Sequence, residues 1–244
     1  MDVISASPLA NPEVLPLRSV EAIACTSALV VAPHPDDETL GCGGAIALLR
    51  ARGCNVQVLV ISDGTLSHPR SCKYPAPKLR ALRESETVSA LAVLGVNAVT
   101  FLRLPDGAVP TQEPDFSKAA ASCCNYLTQF PPQVVFLPVR YDPHPDHRAS
   151  WKLIYTALAN LTLSSRIIEY PIWDWDKAQR GTLLNFTSWR LDISTVVKLK
   201  QQAIAFYRSQ TTNLIDDDPE GFCLTPEMLA NFTRPWEVYL EARQ

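Results

Sequence analysis

Short apolar runs alternate with longer amphipathic stretches along this chain. Runs with strand character stand at 28–32 (ALVVA), 56–61 (VQVLVI), 98–102 (AVTFL), 134–139 (VVFLPV) and 167–170 (IIEY), with a later one near 189–193 (WRLDI). Between the first five, helical patterns fall at about 39–52, 77–94, 116–129 and 147–161. Nearly continuous apolar strands separated by helices predict an α/β fold, a Rossmann-like and mostly parallel sheet with helices on both faces. Residues 1–27 are rich in proline and read as an irregular N-terminal arm, and 28–244 read as one domain. There is no internal repeat and no low-complexity segment.

Composition narrows the classes. Hydrophobic residues make up 47% of the 244 positions and charged residues 19%, which suits a chain that buries a core. A net charge of −3 offers no basic field for nucleic acid. No apolar run approaches the length of a membrane span, and the N-terminus lacks the charged start and apolar stretch of a signal peptide. The seven cysteines form no CxxC pair and are odd in number, so a disulfide framework is not expected. These features predict a reduced, cytoplasmic protein without an integral membrane segment.

In an open parallel sheet, function gathers at the carboxyl ends of the strands. The loops expected there read PHPDDE after the first strand, SDGTLSH after the second, RLPDG after the third and RYDPHPDH after the fourth. All four histidines of the chain (34, 68, 144 and 147) fall in these loops, and none on a predicted core face.

His34 and Asp37 are three residues apart, as are His144 and His147, and such a step at a loop-to-helix junction brings two side chains to one side. Imidazole and carboxylate together suit zinc or a similar divalent ion. Two His, one Asp and a water would make a catalytic rather than a closed structural site. Asp36 and Asp37 are adjacent, so one can bind the ion while the other serves as a base. If His147 binds the metal, His144 is free. Asp146 would then keep it cationic, suited to stabilising an oxyanion or protonating a leaving amine. The bland alternative is that these acids merely cap helices. Two such accidents at the ends of different strands of one sheet are much less expected than one. His68 reads as a loop or substrate-rim residue. The glycines at 41, 43 and 44 do not match G-x-G-x-x-G and lie within a predicted helix, where they let it pack closely.

With both motifs in view, the sequence resembles the LmbE-like, or PIG-L, family of zinc-dependent N-deacetylases. The resemblance rests on Pro33-His34-Pro35-Asp36-Asp37-Glu38 and His144-Pro145-Asp146-His147. Ser62-Asp63-Gly64, Arg83-Glu84-Ser85-Glu86, Leu104-Pro105-Asp106-Gly107 and Ser209-Gln210 support it. It implies His34, Asp37 and His147 as metal ligands and Asp36 as the general base. It further implies His144 as the group serving oxyanion and leaving amine, with Asp146 orienting it. Arg83 and Asp106 become candidate substrate contacts, although a salt bridge from Arg83 to Glu86 is an equal alternative. The implied cofactor is one Zn²⁺ per chain, with Fe²⁺, cobalt or manganese also accepted by such a site. The implied substrate is a small N-acetylated amino-sugar conjugate of the N-acetylglucosamine type. Tyr207 stands where many members carry histidine, and the Trp-rich segment 171–188 reads as a substrate-side loop. Two rival readings are a sugar-binding or assembly protein without turnover, and a nucleotide or S-adenosylmethionine enzyme using Gly41–Gly44.

Overall fold

In the computed structural model, which describes residues 7–176, 178 and 185–243, the apolar runs pair into one eight-stranded sheet. Its strands are β1 (Leu17–Arg18), β2 (Ser27–Ala32), β3 (Asn55–Ser62), β4 (Val99–Leu104), β5 (Val134–Pro138), β6 (Arg166–Tyr170), β7 (Phe186–Asp192) and β8 (Trp236–Ala242). They lie in the order β1-β7-β8-β6-β5-β2-β3-β4, and β2 to β6 run parallel. Among the described strands only β8 is antiparallel to its neighbours, β6 and β7. The helices are α1 (Asp37–Ala51), α2 (Ala76–Val93), α3 (Asp115–Gln129), α4 (Pro145–Asn160), α5 (Val197–Ile204), α6 (Arg208–Thr211) and α7 (Pro226–Ala230).

The two-residue period of a strand explains the two layers of helices. Along β2, Ala28, Val30 and Ala32 enter one core while Leu29 and Val31 enter the other. The first core takes buried residues of α1 and α2, and the second those of α3 and α4. Over the arm expected at 1–27, the described residues form three short 3-10 turns and the strand β1. Leu9, Val20 and Ile23 are buried there.

Helix α1 meets the sheet at unusually close range. A β-carbon on Gly41 would lie 2.2 Å from the ring of Tyr170, and one on Gly44 would lie 2.5 Å from Ile193. These glycines are buried packing residues in mid-helix rather than a phosphate loop, which removes the sequence feature behind the nucleotide reading. Tyr170 cannot easily retreat, because its hydroxyl donates to the carbonyl of Val31 at 2.6 Å. Gly41→Ala is therefore expected to destabilise the fold by about 1–3 kcal/mol through overpacking. This holds although alanine favours a helix by up to about 1 kcal/mol. Urea unfolding would check it, and a more stable variant would refute the close packing.

The strand order also places the site. β2 is flanked by β3 on one side and β5 on the other, so the chain reverses its direction of winding between β2 and β5. Such a switch point leaves a crevice at the carboxyl ends of the two strands. PHPDDE follows β2 and RYDPHPDH follows β5, so the two histidine motifs meet across that crevice.

Candidate metal centre and substrate cavity

Asp36 precedes α1 with φ 151°, a backbone conformation that residues other than glycine rarely adopt, and its side chain makes no capping bond to the helix. Its carboxylate turns instead to Arg83, whose Nη2 lies 3.2 Å from Oδ2. The same guanidinium donates to the carbonyls of Gly64 (2.9 Å) and Pro35 (3.0 Å). The Arg83–Glu86 salt bridge does not form, because Glu86 accepts from the backbone and hydroxyl of Ser209. Strain of this kind, held by surrounding contacts, gathers at functional sites.

His34, Asp37 and His147 converge. Asp37 Oδ2 lies 3.2 Å from His34 Nδ1 and 3.3 Å from His147 Nε2, and the two ring nitrogens are 3.3 Å apart. Three donors around a tetrahedral cation at about 2.0–2.1 Å stand roughly 3.3–3.4 Å from one another. The trio thus has the spacing and the chemistry of a divalent-metal face. Its electrostatics agree. Burial alone would lower the His34 pKa, yet Asp106, Asp146 and Asp37 hold it well above the ordinary value. His147 is likewise driven up to about 9, with Asp142 and Asp37 outweighing burial. Burial opposes ionisation of Asp37, but His147 and His34 keep its pKa far below normal. The surrounding carboxylates thus favour positive charge at both imidazoles, as the site of a divalent cation requires.

Four of the expected residues surround this face in ways the motifs do not specify. Asp106 lies 3.2 Å from His34 Nε2 and accepts from the backbone of Leu66 at 2.8 Å. Despite burial, its pKa is drawn down to about 2 by His34. Asp146 turns its carboxylate to the backbone of Gly107 (2.7 Å) and Val109 (3.2 Å) and to His34 Nε2 (3.3 Å). What fixes the His144 ring is the backbone N–H of Asp146, donated to Nδ1 at 3.2 Å. Burial, with His34 and His147, pushes the His144 pKa down to about 4. Because Nδ1 accepts from the Asp146 N–H, a neutral His144 ring carries its proton on Nε2. Burial raises Asp36 to about 8, Arg83 opposing and Asp37 adding to the rise.

Glu38 and Tyr207 pair behind the site. The tyrosine hydroxyl bonds the Glu38 carboxylate and the hydroxyl of Thr39, and both side chains are buried. Tyr207 is thus a packing partner of the α1 start and does not line the cavity. His68 is also buried, beside Ser67.

Two residues carry more than the sequence motifs assign them. Asp142 Oδ2 lies 3.3 Å from Nδ1 of the fully buried His147, a nitrogen that has no aligned hydrogen bond among the described residues and that a carboxylate there can orient for metal binding. It is visible as part of RYDPHPDH, but nothing there separates it from a turn acid. Gln210 lines the cavity with its Oε1 buried and unpartnered, while Nε2 donates to Ser67 Oγ at 3.3 Å. The Ser209-Gln210 motif is its only signal.

Of these groups, His34, Asp36, Asp37, Asp106, His144 and Gln210 line a cavity of about 650 Å³, with His147 buried behind it. Trp173 and Trp175 of the Trp-rich segment line it, together with Phe222 and Phe232. The remainder of that segment, at 177 and 179–184, lies outside the described residues.

The chain matches known proteins in both sequence and fold. A family model described as PIG-L, GlcNAc-PI de-N-acetylase, matches residues 29–158, a span that holds every candidate ligand. A 1D-myo-inositol 2-acetamido-2-deoxy-alpha-D-glucopyranoside deacetylase of Mycobacterium sp. (strain KMS) is 36% identical over 143 residues, which are 49% of this chain and 46% of that one. This chain therefore spans about half the length of that curated relative. A probable N-acetyl-alpha-D-glucosaminyl L-malate deacetylase 2 of Bacillus subtilis (strain 168) is 26% identical over 191 residues, covering 77% of this chain and 84% of its own. The N,N'-diacetylchitobiose deacetylase from Pyrococcus horikoshii shares the fold, with a TM-score of 0.66 over 99% of this chain and 89% of that one at 23% identity.

Proposed function

The chain belongs to the PIG-L family, and from that premise we propose that it is a zinc-dependent N-deacetylase. Its reaction hydrolyses the acetamide of an N-acetylglucosamine-type sugar to free amine and acetate. The observation that carries the reading is the trio of His34, Asp37 and His147 at mutual distances of 3.2–3.3 Å, with Asp36 beside it on the cavity wall. A zinc ion held by Nδ1 of His34, Oδ2 of Asp37 and Nε2 of His147 would supply Lewis acidity toward the acetamide carbonyl and toward water.

The chain's own groups do the rest. Asp36 takes the proton of the attacking water as its oxygen bonds to the carbonyl carbon. Arg83 holds that carboxylate in place through Nη2, while its buried Nε has no partner among the described residues. His144 presents Nε2–H to the oxygen that gains charge, and the proton held by Asp36 passes to nitrogen as the C–N bond breaks, which returns Asp36 to its carboxylate form. Asp106 fixes the outer nitrogen of His34, and Asp146 ties the loop of Gly107 to the same ring. Seven free cysteines support a reducing, cytoplasmic setting. No helix among the described residues is long and apolar enough to cross a membrane.

Purified protein should carry one metal per chain and release acetate from an N-acetylglucosaminide. A chelator should stop the reaction and added zinc restore it. Absence of both metal and acetate would overturn the proposal. Asp142→Ala should weaken zinc binding about 10–100-fold, because the His147 ring loses its orienting partner. Competition with a chromogenic chelator would measure this, and unchanged affinity would deny Asp142 that role.

A further inference from the structure

We infer that the cavity is built for an amino sugar carrying an uncharged, apolar aglycone, and that an anionic one is disfavoured. This rests on the deacetylase reading above.

The cavity has two chemically different ends. The polar end is the floor already described, lined by His34, Asp36, Asp37, Asp106 and His144. The other is supplied after β6 and between α6 and β8, where Trp173, Phe222, Leu224, Met228 and Phe232 line the wall. That wall falls outside residues 29–158, so the family match says nothing about it. Trp173, Phe222 and Met228 are only half-buried although large and apolar. A contiguous apolar surface left open inside a concave site marks the place of an apolar ligand group.

The rings also give a direction. Trp173 stacks on His144 with centroids 6.0 Å apart and planes 23° from parallel, and the Phe222 ring lies 5.4 Å from that of Trp173. A sugar whose acetamide reaches His144 thus has this pair of rings within reach of the group it carries. The volume, about 650 Å³, matches drug-sized ligands of roughly 300–1,000 Å³ sites and leaves room for such a group.

Charge completes the argument. Arg83 is the single lysine or arginine among the described lining residues, and it is engaged with Asp36 and two carbonyls. Glu227 lines the apolar end. A phosphate or carboxylate aglycone at that end would therefore be desolvated against apolar side chains and a like charge, with no lysine or arginine among the described residues that line it.

The test compares initial rates of acetate release from the methyl, hexyl and 1-phosphate derivatives of N-acetylglucosamine. In parallel, tryptophan emission is titrated with hexyl glucoside and with glucose 1-phosphate, which need no turnover. The hexyl derivative should exceed the methyl one in kcat/KM by about tenfold or more, and the 1-phosphate should fall below both. Hexyl glucoside should change the emission at concentrations where glucose 1-phosphate does not. Met228→Lys, at a half-exposed site, should cut the hexyl-to-methyl ratio about tenfold, and Phe222→Ser should do the same. Acetate released from all three at similar rates, or fastest from the phosphate, would overturn this inference and leave the deacetylase reading standing. Acetate from none with hexyl glucoside still bound would overturn the reaction and keep the cavity's preference. Neither acetate nor hexyl binding would remove both.

Discussion

Asp36→Asn is expected to lower kcat for acetate release by about 10²–10⁴-fold while the protein binds the same amount of zinc. The asymmetry follows from where the carboxylate points. Its Oδ2 faces Arg83, and the three donors of the metal face belong to other residues. Asparagine matches aspartate in shape and keeps an oxygen for Arg83, so the backbone has no new reason to move. What disappears is the capacity to accept a proton. Metal analysis alongside kinetics decides the matter. Full zinc with activity within a few-fold of the parent would transfer the base role elsewhere, with Asp106 the next carboxylate at the cavity floor. Lost zinc would instead make Asp36 part of the binding set.

Much of this arrangement is legible in the amino-acid sequence itself. The five apolar runs and the four helices between them fall within two residues of the expected positions, because each buried strand and each amphipathic helix repeats its own period. The crevice follows from strand ends that carry all four histidines. Other parts are not legible, for physical reasons. β8 (WEVYLEA) interrupts its apolar pattern with Glu237, which the fold buries. Its partner Lys200 sits in α5, far off in sequence, and neither residue announces the other. Asp146 reads as the partner of His144, since the two are neighbours in HPDH. Helix α4 begins there and turns the carboxylate toward Gly107 and Val109, leaving only the backbone N–H for the ring. Arg83 reads equally as a substrate contact or as the partner of Glu86, and only the fold brings the carbonyls of Pro35 and Gly64 and the Asp36 carboxylate to its Nη1 and Nη2.

The Lys200–Glu237 pair yields the largest expected effect on stability. Lys200 Nζ donates to Glu237 Oε1 and to the carbonyl of Leu40, each at 2.7 Å. Glu237 also accepts from the backbone N–H of Gly44 (2.7 Å) and Ala45 (2.9 Å) and from the hydroxyl of Tyr239 (2.8 Å). The two partners are therefore unequal. Glu237→Leu leaves a buried ammonium with one carbonyl and strips an acceptor from three further donors, and should cost about 3–5 kcal/mol. Lys200→Met leaves a carboxylate that still accepts three hydrogen bonds, and should cost less, about 1–3 kcal/mol. The double variant removes both charges and should be more stable than Glu237→Leu alone, since a buried pair replaced by apolar groups is often neutral. Equilibrium unfolding of the three proteins tests the order. A Glu237→Leu protein no less stable than Lys200→Met would show that the carboxylate is not the hub. The order bears on catalysis, because the pair grips α1 at Leu40 and Gly44, one to two turns from Asp37, and Leu40 itself lines the cavity. Loosening that grip should also weaken zinc binding, whereas Gly41→Ala, which presses on the opposite partner Tyr170, tests the same helix from the sheet side.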